Sequence, residues 1–466
     1  MSREKYDFGL IGLGVMGKNF ILNVADHGFG AIGYDLDKDK VDALIAEGEG
    51  KKVFATTELS AFLDELALPR KIMLLVPAGK PVDAVIENLK PHLAKGDIII
   101  DGGNSFYTDT DRRFEYLAKE GIHFFGSGVS GGAKGARRGP SIMPGGDKAA
   151  YEYIKPIFEA ASAKVNGEPC VAHLGNGSAG NYVKMVHNGI EYGLMQLISE
   201  AYDIMKQGMG LSNAEMKKVF EEWNSSELGS FLIEITADIL GRKDEDGKGE
   251  LVDAILDKAK QKGTGKWTSQ NAMDLGTPIP TIDASVRMRE ISSFKELRVE
   301  ASKLYPVNNS SVDLSIHELK EALYLAYILT YAQGLQQLTE ASGEYGYGLD
   351  LEVIAKIWRG GCIIRAVFLE EIRKAYARNP KLANLLMDSQ IAETVSPLVN
   401  SLQKTCAQAM EGGIPASALS ASLNYFNAFR SARLPLNLIQ AQRDHFGSHT
   451  YERLDKPGIF HTEWED

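Results

Sequence analysis

The sequence predicts an α/β domain built on a parallel sheet, followed by a large all-α domain and a short C-terminal tail. Three observations lead to this prediction. The chain has 466 residues, which is more than one hydrophobic core normally supports. Short apolar runs alternate with helical stretches up to about residue 177, whereas helical periodicity prevails from there to about residue 435. We therefore expect domains at 1–177 and 178–435, and a tail at 436–466.

The strands of the first domain are predicted from apolar or β-branched runs that end at Gly, Pro, Asn or Asp. These runs are Asp7–Ile11, Ala31–Tyr34, Ile72–Val76, Ile98–Ile100 and His123–Phe125. Strands that alternate with helices form parallel sheets with helices on both faces. A sheet of this kind is therefore expected in the first domain.

A weak internal repeat marks the helical domain. Ser199-Glu-Ala201, followed by Gly210-Leu211 and Trp223, resembles Thr339-Glu-Ala341, followed by Gly348-Leu349 and Trp358. Only the first copy carries the ionisable residues described below, because the second has Tyr324 and Tyr331 instead. We therefore expect chemistry in the first copy, and packing or dimerisation from the second.

Composition and charge exclude some classes of binding partner. With 62 acidic and 51 basic residues the net charge is −11, which argues against nucleic acid. The cysteines Cys170, Cys362 and Cys406 are odd in number and lack metal-type spacing, which fits a reducing compartment. No signal-like segment follows the N-terminus, and the longest apolar runs have strand length. A cytoplasmic protein without membrane contact is predicted.

A glycine-rich turn after the first strand predicts a cofactor site. Its residues are Gly12, Leu13, Gly14, Val15, Met16 and Gly17. The turn opens a helix, and the acidic residue Asp35 ends the second strand, a context that indicates a Rossmann-type dinucleotide-binding domain. A carboxylate at this place accepts hydrogen bonds from the ribose of NAD and repels the 2′-phosphate of NADP. Lys38 and Lys40 are close enough in sequence to bind such a phosphate, yet we expect NAD to be used at least as well as NADP.

Four polar residues of the helical domain are candidates for catalysis: Lys184, His187, Asn188 and Glu191. On a helix with about 3.6 residues per turn, their offsets of three, four and seven place them on one stripe. The residues between them are mostly apolar, which favours a pocket wall, but most charged helical stripes are solvated. Both interpretations stay open from these residues alone.

Further candidates lie in loops. Asp101–Ser105 and Ser130–Gly146 follow predicted strands at the edge where open α/β sheets bind ligands. Their many glycines indicate a close approach of the backbone to a ligand. Lys262–Trp267 offers an ammonium, a hydroxyl and N–H groups to an oxyanion, and Arg289, Arg443 and His449 are further candidates for a phosphate. No ligand cluster of His, Cys and Asp is evident, so no metal site is predicted.

Six motifs of this chain occur together in one known family. They are Gly-Leu-Gly-Val-Met-Gly from residue 12, Asp-Gly-Gly-Asn-Ser from 101, Ser-Gly-Val-Ser-Gly-Gly from 127, Lys-Met-Val-His-Asn-Gly-Ile-Glu-Tyr from 184, Lys-Gly-Thr-Gly-Lys-Trp from 262 and Leu-Ile-Gln-Ala-Gln-Arg-Asp from 438. Along nearly its whole length the chain resembles decarboxylating 6-phosphogluconate dehydrogenase. The resemblance implies oxidation of 6-phosphogluconate at C3, loss of CO₂ and release of ribulose 5-phosphate, with NADP or NAD as cofactor.

The same resemblance implies roles for the candidates. Lys184 would be the general base at C3, and Glu191 the general acid that protonates C1 of the enediol. The carboxylate and hydroxyls of the substrate would be bound by Asn104, Ser130, Gly131, Gly132, His187 and Asn188, and its phosphate by Tyr192, Lys262, Thr264 and Arg289. Arg443 and His449 would join the phosphate from the tail of a second subunit, so a homodimer is expected. The cofactor would contact the glycine-rich turn, Asp35, Val76 and Asn104.

The chain departs from the family pattern at two places. Asp35-Leu36-Asp37 replaces the usual NADP-binding Asn-Arg-Ser/Thr, and Ala133-Lys134 replaces acidic residues. Two alternative functions remain. One is a related β-hydroxyacid dehydrogenase that acts on a small unphosphorylated acid, although such enzymes are shorter and lack the 262–267 loop. The other is a dinucleotide sensor without catalysis, which the presence of Lys184 and Glu191 disfavours.

Overall fold

A computed structural model describes residues 5–307 and 311–464. Residues 1–4 of the predicted first domain and 465–466 of the predicted tail lie outside the described residues. In the described part of the chain, no helix is long and apolar enough to cross a membrane.

The N-terminal part is a seven-stranded sheet covered by helices. The strands are β1 (Phe8–Ile11), β2 (Ala31–Tyr34), β3 (Val53–Thr56), β4 (Lys71–Leu74), β5 (Ile98–Asp101), β6 (His123–Ser130) and β7 (Ser141–Gly145). The helices are α1 (Val15–Asp26), α2 (Lys38–Glu47), α3 (Leu59–Asp64), α4 (Lys80–Leu89), α5 (Tyr107–Ala118), α6 (Gly132–Arg138) and α7 (Lys148–Ala161). The strand order is β3-β2-β1-β4-β5-β6-β7, and every neighbouring pair is parallel except β6 and β7.

Two apolar cores flank this sheet. Ile98 and Ile100 of β5 belong to one core together with side chains of α1 and α7, whereas Ile99 belongs to the other, with side chains of α3, α4 and α5. This alternation follows from the strand, in which successive side chains point to opposite faces. The predicted parallel sheet with helices on both faces is therefore confirmed.

All five predicted strands are present, Ala31–Tyr34 with both ends as predicted and the others with shifted ends, and two further strands of this sheet are not predicted from the sequence. The segment 130–146, interpreted above as a loop, contains α6 and the antiparallel strand β7 instead. Pro144 and Gly145 have the composition of a turn, but a proline is tolerated where a strand lacks a partner on one side. β3 is missed because it is short and only its Ala55 is buried.

The remainder of the chain is mostly helical. After the short strands β8 (Lys164–Val165) and β9 (Glu168–Pro169) come α8 (Ala179–Asp203), α9 (Asn213–Asn224), α10 (Phe231–Leu240), α11 (Leu251–Ala254), α12 (Thr264–Asp274), α13 (Pro280–Ser292), α14 (Lys295–Leu304), α15 (Ile316–Glu344), α16 (Leu351–Trp358), α17 (Phe368–Arg378), α18 (Ser389–Val395), α19 (Val399–Glu411), α20 (Ser417–Phe429), α21 (Leu436–Gly447), β10 (Tyr451–Glu452) and β11 (Ile459–Phe460). The long helices α8 and α15 pack against each other within one large apolar core.

The internal repeat corresponds to two similar helical units. Helix α8 is followed by α9, which contains the buried Trp223, and α15 is followed by α16, which ends at the buried Trp358. The second unit packs against the first, as predicted. Its Tyr331 is fully buried and donates a hydrogen bond to the carbonyl of Ile364 at 2.7 Å.

Gly189 allows α12 to lie directly against α8. A Cβ at this position would be 2.5 Å from Thr268 Cγ2, which is closer than real contacts. We expect Gly189→Ala to lower the free energy of unfolding by about 1–3 kcal/mol, because the two helices must move apart. The matched control is Gly343→Ala in α15, where a Cβ meets nothing within 4 Å, and there we expect a gain of up to about 1 kcal/mol. Denaturant unfolding measures both, and equal shifts in the two variants would contradict this packing.

Candidate active site

The polar stripe of α8 lies inside the protein. Lys184 and His187 are buried, with 6% and 0% of their surface exposed. Lys184 Nζ donates to Asn188 Oδ1 at 2.8 Å and lies 3.4 Å from His187 Nδ1. The carboxylate of Glu191 lies 4.0 Å from His187 Nδ1 and is partly exposed. The sequence left two interpretations of the stripe open, a pocket wall and a solvated helix face. The burial of Lys184 and His187 supports the pocket wall.

Burial shifts both ionisable ends of the stripe towards their neutral forms. Desolvation lowers the pKa of Lys184, although the nearby Glu191 opposes this shift. Desolvation raises the pKa of Glu191, against the opposing charges of Lys184 and Arg289. An amine that loses its proton easily and a carboxyl that retains one are the forms needed for a general base and a general acid.

His187 connects the stripe to the end of β6. Its Nε2 lies 3.3 Å from Ser130 Oγ, and its Nδ1 lies 3.1 Å from Asn188 Oδ1. Burial and the charge of Lys184 hold the pKa of His187 well below its usual value, so the ring is neutral. Because Asn188 Oδ1 is an acceptor, we assign the proton to Nδ1, which leaves Nε2 to accept from Ser130.

The stripe can approach the sheet because β6 carries a glycine opposite Lys184. A Cβ on Gly128 would lie 2.3 Å from Lys184 Cβ, so no larger residue fits there. Beyond it, Gly131 adopts a left-handed φ of 112° and faces a second backbone, where a Cβ would lie 2.5 Å from the carbonyl oxygen of Gly361. Main-chain atoms therefore form much of this wall.

Asn104, another residue predicted to bind the substrate, follows the end of β5 and is exposed. Behind it, Asp101 is fully buried and accepts hydrogen bonds from Ser105 Oγ at 2.6 Å and from the Gly103 N–H at 3.0 Å. Burial raises the pKa of Asp101, against these hydrogen bonds. Sequence reasoning identified the Asp101–Ser105 segment but assigned no role to this carboxylate.

Four of the predicted phosphate residues lie near one another at the start of α12. Asn188 Nδ2 donates to Thr264 Oγ1 at 3.1 Å, which joins the stripe to this helix. The guanidinium carbon of Arg289 lies 3.5 Å from the ring centroid of Tyr192, and Lys262, two residues before Thr264, is exposed. Two cations beside the free N–H groups of a helix N-terminus provide a suitable place for an anion.

Arg443 and His449 are not brought to this place. Both are exposed, at α21 and just after it, and no contact among the described residues joins them to the other candidates. Asp444 between them is fully buried and accepts hydrogen bonds from Thr450, His461, Thr462 and Trp464. Although burial opposes ionisation, these hydrogen bonds hold the pKa of Asp444 well below its usual value. The tail is thus an ordered arm fixed by a carboxylate that sequence reasoning missed.

The second helical unit forms part of the wall of this pocket, which was not predicted. The ring of Trp358 meets His187 edge to face, with 5.6 Å between centroids. Cys362 Sγ donates to the Trp358 carbonyl at 3.0 Å, and burial raises the pKa of its thiol to about 12. The second copy was expected only to pack or to dimerise. The pair Gly360-Gly361 was the sequence signal for it, because adjacent glycines allow a close contact between backbones.

The glycine-rich turn fits a dinucleotide. Gly12 adopts a φ of 98°, and its missing Cβ would lie 2.5 Å from the Leu75 carbonyl oxygen, whereas Gly14, at the start of α1, has nothing within 4 Å of a Cβ. Open space at a helix N-terminus is where a pyrophosphate binds. A largely apolar pocket is lined by Gly12, Asp35 and Val76. Of the residues predicted to hold a cofactor, Gly12, Asp35 and Val76 therefore border one space.

Asp35 faces the glycine-rich turn. Its Oδ2 accepts a hydrogen bond from the Leu13 N–H at 2.7 Å, and Lys40 Nζ lies 3.6 Å from its Oδ1. Lys38 pairs with Asp42 and points to solvent. One carboxylate, partly balanced by one lysine, therefore occupies the position next to the expected ribose.

A Rossmann-type sheet with a dinucleotide cradle, next to a buried lysine and a glutamic acid, defines a nicotinamide-dependent oxidoreductase. The chain matches the NAD binding domain of 6-phosphogluconate dehydrogenase over residues 7–175 and the C-terminal domain of 6-phosphogluconate dehydrogenase over residues 180–464. It belongs to the 6-phosphogluconate dehydrogenase family. The predicted fold class and the family resemblance are thereby confirmed.

Individual relatives agree over the full length. A Bacillus subtilis protein named NADP(+)-dependent, decarboxylating 6-phosphogluconate dehydrogenase is 54% identical, with 99% of each chain covered. The decarboxylating enzyme of Escherichia coli K12 is 51% identical over 99% of this chain and 100% of its own. The structure of Plasmodium falciparum 6-phosphogluconate dehydrogenase, studied with NADP+ and with 6-phosphogluconate, superposes with a TM-score of 0.95 at 46% identity, covering 98% of this chain and 100% of that one. The chain is thus a decarboxylating dehydrogenase that uses a nicotinamide dinucleotide.

Proposed function

We propose that this chain oxidises 6-phospho-D-gluconate at C3 and decarboxylates the product to D-ribulose 5-phosphate and CO₂, in the pentose phosphate pathway of the cytoplasm. The observation that carries the proposal is the buried stripe of α8, on which burial shifts the pKa of Lys184 and that of Glu191 in opposite directions. The membership of a family that performs this reaction supports it.

The residues have separate tasks in this mechanism. Neutral Lys184 removes the proton of the C3 hydroxyl. A dinucleotide held by the glycine-rich turn would supply the acceptor for the hydride of C3. The lysine, now charged, donates a hydrogen bond to the new C3 ketone and draws electron density towards it. The carboxylate at C1 leaves as CO₂, because its bonding electrons move towards that ketone; the C3 oxygen takes the proton of Lys184, and an enediol results. Glu191 then protonates the carbon that was C2 of the substrate and becomes C1 of the product, while Lys184 takes back the proton of the C3 hydroxyl, which gives the ketose.

Substrate binding is divided between two ends of the pocket. Asn104, Ser130, Gly131, Gly132, His187 and Asn188 hold the carboxylate and hydroxyls. Tyr192, Lys262, Thr264 and Arg289 hold the phosphate, where two cations and a helix N-terminus favour a dianion. A short unphosphorylated acid would leave these cations without a partner, which disfavours the alternative β-hydroxyacid dehydrogenase.

Arg443 and His449 complete the phosphate site of a second subunit. Both are exposed on an arm that Asp444 keeps ordered, and the arm exposes large apolar side chains, among them Phe446 and Ile459. Exposed apolar surface of this kind is typical of a subunit interface. A homodimer with exchanged tails therefore gives Arg443 and His449 a role that they do not have within one chain. In this arrangement the domain 1–177 binds the cofactor, the domain 178–435 binds the substrate, and the tail 436–466 reaches the partner subunit.

Initial rates with 6-phosphogluconate and each dinucleotide test the function and the cofactor together. We expect turnover with both, and a kcat/KM for NAD at least equal to that for NADP, because Asp35 repels a 2′-phosphate. Asp35→Ser should lower the NAD to NADP ratio about tenfold, the loss expected for one charge-assisted hydrogen bond. A strong preference of the unmodified enzyme for NADP would contradict the role of Asp35, and turnover of 3-hydroxyisobutyrate alone would contradict the substrate.

Glu191→Gln tests the acid. The amide keeps the shape of the side chain but has no acidic proton to transfer to carbon, so the step after oxidation should slow by about 10²-fold or more. In a single turnover the reduced cofactor should form before ribulose 5-phosphate appears, whereas in the unmodified enzyme both follow closely. Glu290→Gln, on α13, serves as the control. An unchanged rate of ribulose 5-phosphate release in the Glu191 variant would count against the role.

A further inference from the structure

The loop Gly102–Asn104, between β5 and Ser105, is held by a buried arginine. Arg113 of α5 is 1% exposed. Its Nη1 lies 3.4 Å from both Asp101 Oδ2 and Ser105 Oγ, the residues on either side of the loop.

The same guanidinium reaches the neighbouring loop between β4 and α4. Arg113 Nη2 donates to the Gly79 carbonyl at 3.0 Å, and its Nε donates to Asp83 Oδ1 at 2.8 Å. This second loop contains Val76, a proposed cofactor contact. The planar guanidinium, with donors at fixed angles, therefore joins the loops after two adjacent strands.

A second contact ties the Asn104 loop to the catalytic helix. Asn181 of α8 lies one turn before Lys184, and its Nδ2 donates to the Gly103 carbonyl at 3.2 Å. Its Oδ1 accepts from Thr110 Oγ1 of α5 at 3.0 Å, and the side chain is buried. The loop is thus fixed on one side to the cofactor loop and on the other to the helix of the proposed base.

We propose that Arg113 is a positioning residue, which sets the separation of Val76 and Asn104 and hence the alignment of cofactor and substrate for hydride transfer. This inference rests on the proposed function and on the roles given there to Val76 and Asn104. The burial of a guanidinium supports it, because a charge in the interior is expensive and an apolar side chain would fill the space more cheaply. Hydride transfer is sensitive to such alignment, since small misplacements of reacting groups cause large losses of rate.

The next residue in the chain provides a matched control. Arg112 also pairs with Asp83, at 2.9 Å, but its side chain is 56% exposed, and its other ion pair is with Asp109. Arg112→Lys and Arg113→Lys each keep the positive charge and remove the planar fork. Only the second breaks the connection between the loops.

The test compares these two variants with 6-phosphogluconate that carries deuterium at C3. For Arg113→Lys we expect kcat/KM to fall at least about tenfold, KM to rise for both substrate and dinucleotide, and the deuterium isotope effect to increase, because hydride transfer becomes slower. For Arg112→Lys we expect all of these values to stay within about twofold. A purely structural role would lower the amount of folded enzyme and leave the isotope effect unchanged.

Two results would overturn the proposal: kinetics of Arg113→Lys that equal those of Arg112→Lys, or a loss of activity with an unaltered isotope effect. Should Arg113→Lys fail to fold, Ser105→Ala decides, since it removes one contact of the guanidinium; an unaltered isotope effect there would equally overturn it. Failure of the proposed function is distinguishable, because then the unmodified enzyme would not oxidise 6-phosphogluconate at all.

Discussion

Lys184→Met is expected to lower the rate of oxidation by about 10³-fold or more while dinucleotide binding stays nearly intact. Methionine has a similar length and fits a buried site, but it accepts no proton and cannot polarise the C3 ketone. Lys184 stands next to Asn188 and His187, and a neutral side chain there disturbs neither partner by charge. Single-turnover formation of reduced cofactor measures the rate, and fluorescence titration measures dinucleotide binding.

Lys148→Met is the control for this experiment, since Lys148 is exposed on α7 and carries no proposed role. Its rate should equal that of the unmodified enzyme. Appreciable oxidation by the Lys184 variant would contradict the role of Lys184 as the base.

The pH dependence of the unmodified enzyme follows from the same role. The base must be neutral to accept a proton, so we expect kcat/KM to fall as the pH drops below the lowered pKa of Lys184.

Mixed dimers are expected to regain activity that neither parent has. In an exchanged-tail dimer, Lys184→Met damages its own site, whereas Arg443→Ala damages the site of the partner. A dimer with one subunit of each kind therefore has one doubly damaged site and one intact site. Random mixing makes about half of the dimers mixed, so about one quarter of the unmodified activity should return.

Co-expression of the two variants with different affinity tags isolates the mixed dimer, in which half of the unmodified activity is expected from one site in two. In the control, Arg430→Ala replaces Arg443→Ala. Arg430 is exposed near the end of α20, and the Arg430→Ala variant by itself should be fully active. If each tail served its own subunit, the mixed dimer would contain one site without its base and one without its arginine. No activity beyond that of the parents would then appear.

Much of the fold was predictable because its signals are local. Alternating apolar runs mark the strands, and the glycine-rich turn together with Asp35 marks the cofactor end. β7 was missed because Pro144 and Gly145 have the composition of a turn, while pairing with β6 gives them the conformation of a strand. Local composition does not contain the position of the partner strand.

The position of the polar stripe of α8 could be predicted from the sequence, but its burial could not. The spacing of Lys184 and Glu191 follows from helix geometry, whereas their burial depends on residues distant in sequence, such as Gly128 and Trp358. The same holds for Asp444, whose partners lie 6 to 20 residues further along the chain and are brought together only in the folded arm. Long-range contacts of this kind have no periodicity that a single sequence displays.

The main-chain wall at Gly128, Gly131 and Gly361 has a consequence for how this enzyme can change its substrate. Most mutations change a binding surface by replacing side chains, but this wall consists of main-chain atoms, and its glycines leave no room for a side chain. In the binding mode proposed above, this wall faces the carboxylate and the reacting hydroxyl of the substrate, so few mutations can alter how these groups are bound, whereas Lys262 and Arg289 at the proposed phosphate end can be replaced. Laboratory evolution towards other sugar acids should accumulate its mutations at that end.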